Sequence, residues 1–268
     1  MCALEVYYFI DNNKIDLNGN YFDSPAKVCI LSGYGSVATD VLKNMKVKKT
    51  PQGEEVNLAA YIKINNYDLR ICTSLNEVSS ALSSGQTIYL LNDVNISEPL
   101  TITVSSSYLR LNGNTINNTG TTSAIMVETG GKLSISGNGK VYGGQGGNNT
   151  AITVKGTLVV NSGEFSVGPD ADNAGNSCIY SVGGTVTING GTFSTEKDWR
   201  GWYYVLNQQN GNPGTITVKG GTFVNYNPAN GDDNLGGNFI AEGYESVETT
   251  TEDGKPAWKV SKKIVSAE

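Results

Sequence analysis

Gly184-Thr-Val-Thr-Ile-Asn-Gly-Gly-Thr-Phe193 returns thirty residues later as Gly214-Thr-Ile-Thr-Val-Lys-Gly-Gly-Thr-Phe223. A looser copy, Gly156-Thr-Leu-Val-Val-Asn-Ser-Gly-Glu-Phe165, precedes both, so the three phenylalanines fall 28 and 30 residues apart. A unit this short cannot bury its apolar face alone. It has to stack on the next copy, and recurrence at near-constant spacing is the mark of a solenoid.

Inside the unit, Val186 and Ile188 alternate with Thr185 and Thr187, the period of a strand. The Asn-Gly, Ser-Gly and Gly-Gly pairs before each Phe supply the backbone freedom for a corner. Upstream the pattern weakens but persists in Tyr108-Leu-Arg-Leu111 and Lys132-Leu-Ser-Ile135. Taking the last apolar residue of each strand gives Leu111, Ile135, Val160, Ile188 and Val218. Ile116, Phe165, Phe193 and Phe223 follow at the fifth position, and Val141 at the sixth. A second strand series leads each unit: Ala124–Val127, Ala151–Val154, Cys178–Tyr180 and Tyr203–Leu206. The unit is too rich in Gly and Thr for paired helices and lacks the spaced leucines of a leucine-rich repeat. A mainly β fold follows, a parallel β-helix whose rungs stack at about 4.8 Å. Six or so rungs would make a rod about 30 Å long.

Solenoid ends need covers. Ser74-Leu-Asn-Glu77 has the form of a capping box, followed by Leu75, Val78 and Leu82 at helical spacing. That predicts a short lid helix ahead of a first strand, Gly85–Leu90. At the far end, Phe239–Tyr244, Val247 and Lys255–Val260 around the turn Glu252-Asp-Gly254 predict a closing hairpin with Trp258 as its packing anchor.

Taken together, the helix, Gly85-Gln-Thr-Ile-Tyr-Leu90, Leu111-Asn-Gly-Asn-Thr-Ile116, the Gly-Gly-Thr-Phe coils and the Gly-Tyr…Trp-Lys-Val ending resemble right-handed parallel β-helix proteins of the pectate-lyase-like superfamily. More narrowly, they are similar to the coils of surface and phage structural proteins from gut bacteria and their viruses. The resemblance covers roughly residues 74–260. It implies a fold shared by lyases, hydrolases, adhesins and phage fibres, so it specifies architecture more than activity. Fibres of this kind are often trimers, and self-association belongs to what the resemblance implies.

Residues 1–72 lie outside the repeat and read as a small α+β N-terminal domain ahead of the solenoid at 73–268. Val6–Ile10 and Ala26–Leu31 read as strands, Asn18-Gly19 as a turn, and Ser36–Met45 as a short helix. Lys43, Lys46, Lys48 and Lys49 form a basic run in a chain of net charge −6. One reading of that run is a docking patch on a larger assembly; the other is a solvated loop. An α+β module ahead of a β-helix matches the plan of phage head fibres and tail appendages.

The acidic balance argues against non-specific nucleic-acid binding. The N-terminus lacks a signal-peptide pattern, and no segment is apolar enough to span a membrane. Four scattered cysteines, Cys2, Cys29, Cys72 and Cys178, read as buried free thiols. A fold common outside cells, with no export signal, points to a virion protein assembled in the host cytoplasm.

The chain has no histidine, which removes Ser-His-Asp, Cys-His and His-metal chemistry. Glu164, Asp170, Asp172, Glu196, Asp198, Arg200, Asp232 and Asp233 are the residues a lyase or glycosidase would draw on. They sit in turns, and Asp170-Ala-Asp172-Asn-Ala-Gly175 is only a partial calcium loop. We therefore expect no catalytic, metal or cofactor residues. The longest break in the repeat, Ser194–Tyr204, holds Trp199, Arg200, Trp202 and Tyr203. That composition is typical of a contact patch for a sugar or a protein, the alternative being loop packing. The expected function is a non-enzymatic head-fibre, capsid-decoration or tail-appendage component that docks on other virion proteins through residues 1–72. A glycan-binding adhesin and a polysaccharide lyase or hydrolase are the alternatives.

Overall fold

A computed structural model describes residues 4–6, 26–30, 42–43, 46–48, 55–65, 68–146, 149–169, 176–198, 200–231 and 237–264. In chain order the first elements are β1 (Leu4–Val6), β2 (Ala26–Ile30), β3 (Lys46–Lys48), β4 (Glu55–Asn57), β5 (Ala60–Lys63), β6 (Asp68–Cys72) and the helix α1 (Leu75–Ala81). The solenoid follows in sets of three strands. These are β7 (Gln86–Leu90), β8 (Val94–Ile96) and β9 (Leu100–Ile102); β10 (Ser107–Arg110), β11 (Asn114–Asn118) and β12 (Ser123–Val127); and β13 (Lys132–Ser136), β14 (Gly139–Tyr142) and β15 (Thr150–Val154). Next come β16 (Thr157–Val160), β17 (Glu164–Val167) and β18 (Ser177–Ser181), then β19 (Thr185–Ile188), β20 (Thr192–Thr195) and β21 (Leu206–Gln208). A last rung has β22 (Thr215–Val218) and β23 (Gly221–Val224), and the chain closes with β24 (Tyr244–Thr250) and β25 (Pro256–Lys262).

Like members of each set pair in parallel: β7-β10-β13-β16-β19-β22, β8-β11-β14-β17-β20-β23 and β9-β12-β15-β18-β21. The fold is the expected parallel β-helix. Register brings like residues into columns. Ile88, Leu109, Ile135, Val160, Ile188 and Val218 form one inward column, fully buried throughout. Phe165, Phe193 and Phe223 form another, with ring centroids 5.1 and 5.0 Å apart and planes tilted by 12° and 10°. Stacked aromatics add to the area they bury.

One expected column member is displaced. Leu109, and not Leu111, is the partner of Ile135. Leu111 lies in the corner that follows, where Asn112 (φ 51°) and Gly113 (φ 78°) turn the chain. Its side chain fills the inside of the corner stack. A Cβ on Gly139 would sit 2.7 Å from the Leu111 Cβ and 2.5 Å from the Asn114 carbonyl oxygen, and one on Gly163 would sit 2.8 Å from Leu111 Cδ1. The glycines above Leu111 therefore make room for it as well as bending the chain. The Tyr203–Leu206 strand is likewise displaced: Leu206 opens β21, and Tyr203 and Tyr204 belong to the preceding loop.

Between the second and third sheets, Asn118, Asn149 and Asn176 are buried at successive corners. Asn118 Nδ2 donates to the Thr122 and Gly143 carbonyls, and Asn176 Nδ2 donates to Gly168 O. Asn176 Oδ1 accepts from the Asn149 amide, tying one corner to the next. These side chains satisfy carbonyls that the bend leaves without strand partners.

Both ends are covered. The Ser74 Oγ accepts the Glu77 amide at 3.3 Å, while the Glu77 carboxylate reaches back to the Thr73 amide (2.6 Å) and hydroxyl (2.9 Å). The capping box thus closes one residue earlier than its usual form. Leu75, Val78 and Ala81 face the core, and Ser79 Oγ accepts the Thr101 amide, seating α1 on β9. β5 pairs antiparallel with β7 and with β6, and β6 with β2, so the first sheet continues without a break across residue 72. Stacked Tyr61 and Tyr89, centroids 4.7 Å apart, mark that junction. At the other end β25 pairs antiparallel with β23 and β24. Ala257 and Val260 supply its buried surface; Trp258, opposite Phe223, is half-buried and outside the core cluster.

The Asn18-Gly19 turn and, apart from Leu42 and Lys43, the Ser36–Met45 helix lie outside the described residues, as do positions 7–10 of the first expected strand.

Phe193 has a ring on either side, so Phe193→Ala should lower unfolding free energy by about 3–5 kcal/mol, measured by urea denaturation, against a smaller loss for Phe193→Leu. Gly139→Ala should also destabilise, because φ is 132° there and the new methyl meets both the Leu111 side chain and a backbone oxygen.

Candidate functional site

β20 ends at Thr195 and β21 begins at Leu206, and between them the chain leaves the rung. Asp198 organises the excursion. Its backbone N–H donates to Trp202 O at 2.9 Å, and Gly201 N donates to Asp198 O at 3.0 Å. The carboxylate does the rest. Oδ1 accepts the amides of Arg200 (2.8 Å) and Trp202 (2.9 Å), and Oδ2 accepts Arg200 Nε at 2.8 Å. Gly201, at φ 85°, makes the turn without a Cβ clash.

The Asp198 side chain is only 2% exposed. Burial by itself would push its carboxyl up. The hydrogen bonds from the Trp202 amide, the Arg200 guanidinium and the Arg200 amide, with the guanidinium charge, outweigh burial and hold it below the usual carboxylate range. The loop is closed by a buried anion that is charged at neutral pH.

Arg200, so anchored, packs on aromatic rings. Its guanidinium carbon lies 4.2 Å from the Trp202 ring centroid and 5.5 Å from that of Tyr204, and it donates to the Tyr204 hydroxyl. Trp202 and Tyr204 meet edge to face at 6.1 Å. Tyr204 is buried, whereas Trp202 keeps 43% of its surface exposed. Tyr203 takes Lys197, whose Nζ lies 5.5 Å over its ring. Of the residues singled out by sequence, Arg200 and Trp202 come together, Tyr203 lies on the same loop with a different partner, and Trp199 lies outside the described residues. The sequence makes Asp198 a candidate catalytic carboxylate; in the fold its oxygens fix the loop. The sequence signal for that role is an Asp two residues before an Arg-Gly pair, the pattern of an Asp-closed turn.

The turn of the C-terminal hairpin lies within electrostatic reach of this loop, through Lys255 and its neighbours Glu196 and Tyr203. Asn225 N donates to Pro256 O, so the Thr251–Lys255 turn lies level with the point where β20 runs into the loop. Lys255 Nζ is 3.1 Å from Asp253 Oδ2, and the Thr251 hydroxyl bonds Asp253 Oδ1 at 2.5 Å. Asp253, chiefly, then Glu196 and Tyr203 favour the charged form of Lys255.

Elsewhere, Glu164 pairs with Lys140 at 2.7 Å and Glu128 with Lys155 at 3.1 Å. The Lys140–Glu164 pair edges an open cleft of about 440 Å³ along the first corner, floored by Gly113, Gly137, Gly139 and Gly163. Asp170, Asp172, Asp232 and Asp233 lie outside the described residues. Among the described residues, no three Cys, Asp or Glu side chains converge where they could hold a metal ion, and no helix is long and apolar enough to cross a membrane. Cys72 and Cys178 are free and buried. Burial, with Glu77 adding and Arg70 opposing, pushes the Cys72 thiol up to about 12, and burial pushes Cys178 up as well.

Of the lysine run, Lys43 and Lys46 are exposed. Lys46 and Lys48 are two apart on β3, which pairs antiparallel with β4, and the Lys43 carbonyl accepts Asn92 Nδ2 at 3.1 Å beside the first rung. Lys49 lies outside the described residues. No family model matches the chain, and no curated protein or solved structure matches it.

Since the Asp198 carboxyl is depressed, the stability it contributes is present above its unfolded value, about 3.9, and is lost as pH falls through its lower folded value. Hydrogen exchange at the Trp202 amide, corrected for intrinsic rate, should stay slow at pH 5 and accelerate only below about pH 4. Asp198→Asn, which sets an amide donor against Arg200 Nε or loses an acceptor, should accelerate it at every pH. Cys72 and Cys178 should react with a thiol reagent only on unfolding, read by mass shift of the native protein.

Proposed function

We propose that this chain is a non-enzymatic virion structural protein, a head-fibre, capsid-decoration or tail-appendage component whose β-helix carries a contact loop for the host surface. The Asp198-closed loop is the observation that carries the contact role. It holds a 43% exposed indole on a rigid support, and groups fixed before an encounter lose less entropy on binding. The carboxylates of the loop and hairpin support the same reading, since Asp198 and Asp253 are occupied by Arg200 and Lys255 and neither resembles a paired acid and base. The virion setting rests on the coil resemblance and on the plan of a segment outside the repeat placed ahead of a rod. Docking through that segment, with Lys43 and Lys46 exposed near the first rung, is part of the proposal.

Antibody raised against the chain should detect it in purified particles at a fixed copy number. Its absence from particles would sink the virion reading. Particles carrying Trp202→Ala should adsorb to host cells about tenfold more slowly with normal assembly; unchanged adsorption would remove the contact role.

A further inference from the structure

We infer that the surface formed by the Trp202 loop and the Thr251–Lys255 turn takes an uncharged, pyranose-containing glycan stacked on the indole, and discriminates against anionic sugars. This rests on the contact role proposed above and adds the chemistry of the ligand.

The charges around Trp202 determine the class. Three cations, Lys197, Arg200 and Lys255, stand among four anions, Glu196, Asp198, Glu252 and Asp253, so the loop and turn together carry one net negative charge. The cations are also engaged. Arg200 Nε is bound to Asp198, its guanidinium lies against the Trp202 ring and donates to Tyr204, Lys255 is paired with Asp253, and Lys197 lies over Tyr203. A sugar carboxylate or sulfate would meet that net negative charge, with the Arg200 charge already paired to the buried Asp198. The chain's net charge of −6 further opposes an acidic polysaccharide at long range.

A neutral pyranose meets none of these penalties. The C–H face of the ring is weakly positive and lies well on the negative face of an indole. Arg200 occupies one side of Trp202 at 4.2 Å, and the exposed remainder is the platform. Tyr203 lies on the same loop, and Lys255 of the turn stands within electrostatic reach of it. Because the loop is held by Asp198 and Gly201 before any ligand arrives, the platform is preformed.

The experiment titrates the full chain with neutral oligosaccharides (glucan, galactan and mannan series) and anionic ones (oligogalacturonate and sialylated oligosaccharides), at about 50 and about 500 mM NaCl. Binding of at least one neutral series is expected, with affinity changing less than about twofold between the two salts, since no ion pair forms. Trp202→Ala should weaken it about tenfold and Trp202→Phe only a few-fold, with circular dichroism unchanged in both. Preferential binding of the anionic series with a steep salt dependence overturns this inference while leaving the contact role standing. Binding of no oligosaccharide, with host adsorption still dependent on Trp202, also overturns it. Binding of none, with adsorption independent of Trp202, removes both.

Discussion

Parallel pairing in strict register is the constraint on which the rest of this molecule depends. Once β16, β19 and β22 stack, every side chain is repeated at about 4.8 Å along the rod, and what is tolerable on one rung must be tolerable against its copy. Apolar side chains meet that condition by stacking, as Phe165, Phe193 and Phe223 do. Inward-facing charges would not, because like charges would stack at the same spacing. The composition follows: aliphatics and Phe inside, the threonines of β19 and β22 on the outer face, and ion pairs such as Lys140–Glu164 where adjacent rungs carry opposite charges.

The same constraint explains the corners. A bend takes carbonyls out of the strand ladders, and a stack of bends repeats the deficit on every rung. Two solutions occur. At the first corner, glycine lets the backbone of one rung press against the next, and Leu111 fills the space beneath. At the second, Asn118, Asn149 and Asn176 donate to the freed carbonyls. Gly139 and Gly163 at the first corner and the three asparagines at the second are thus set by the stacking of bends.

Individual shape is left to the place where the repeat is abandoned. Between β20 and β21 the chain cannot use the ladder to fix its shape, so it uses one buried carboxylate instead. Asp198 replaces the missing strand partners with two amides and a guanidinium, and the guanidinium in turn sets the indole. A rod built by repetition gains an individual feature only by such a local device. The hairpin beyond it ends the solenoid by reversing strand direction.

The sequence by itself determined the solenoid, its three sheets, the Phe ladder, the capping helix and the terminal hairpin, because each is written in local periodicity, turn chemistry or a capping pattern. It pointed to Arg200 and Trp202 by composition. Tertiary structure alone decided that Leu109 rather than Leu111 joins the column, since alternation cannot tell a strand residue from a corner residue that is equally buried. It alone decided that Ala257 and Val260, more than Trp258, close the end, because burial there depends on how the added strands cover the last rung. It also placed β5 against β7, an antiparallel pairing across 23 or more residues for which no local pattern exists. Asp198 shows the difference most clearly. An aspartate in a turn reads alike whether it serves solubility, catalysis or shape, and only the three donors around it say which.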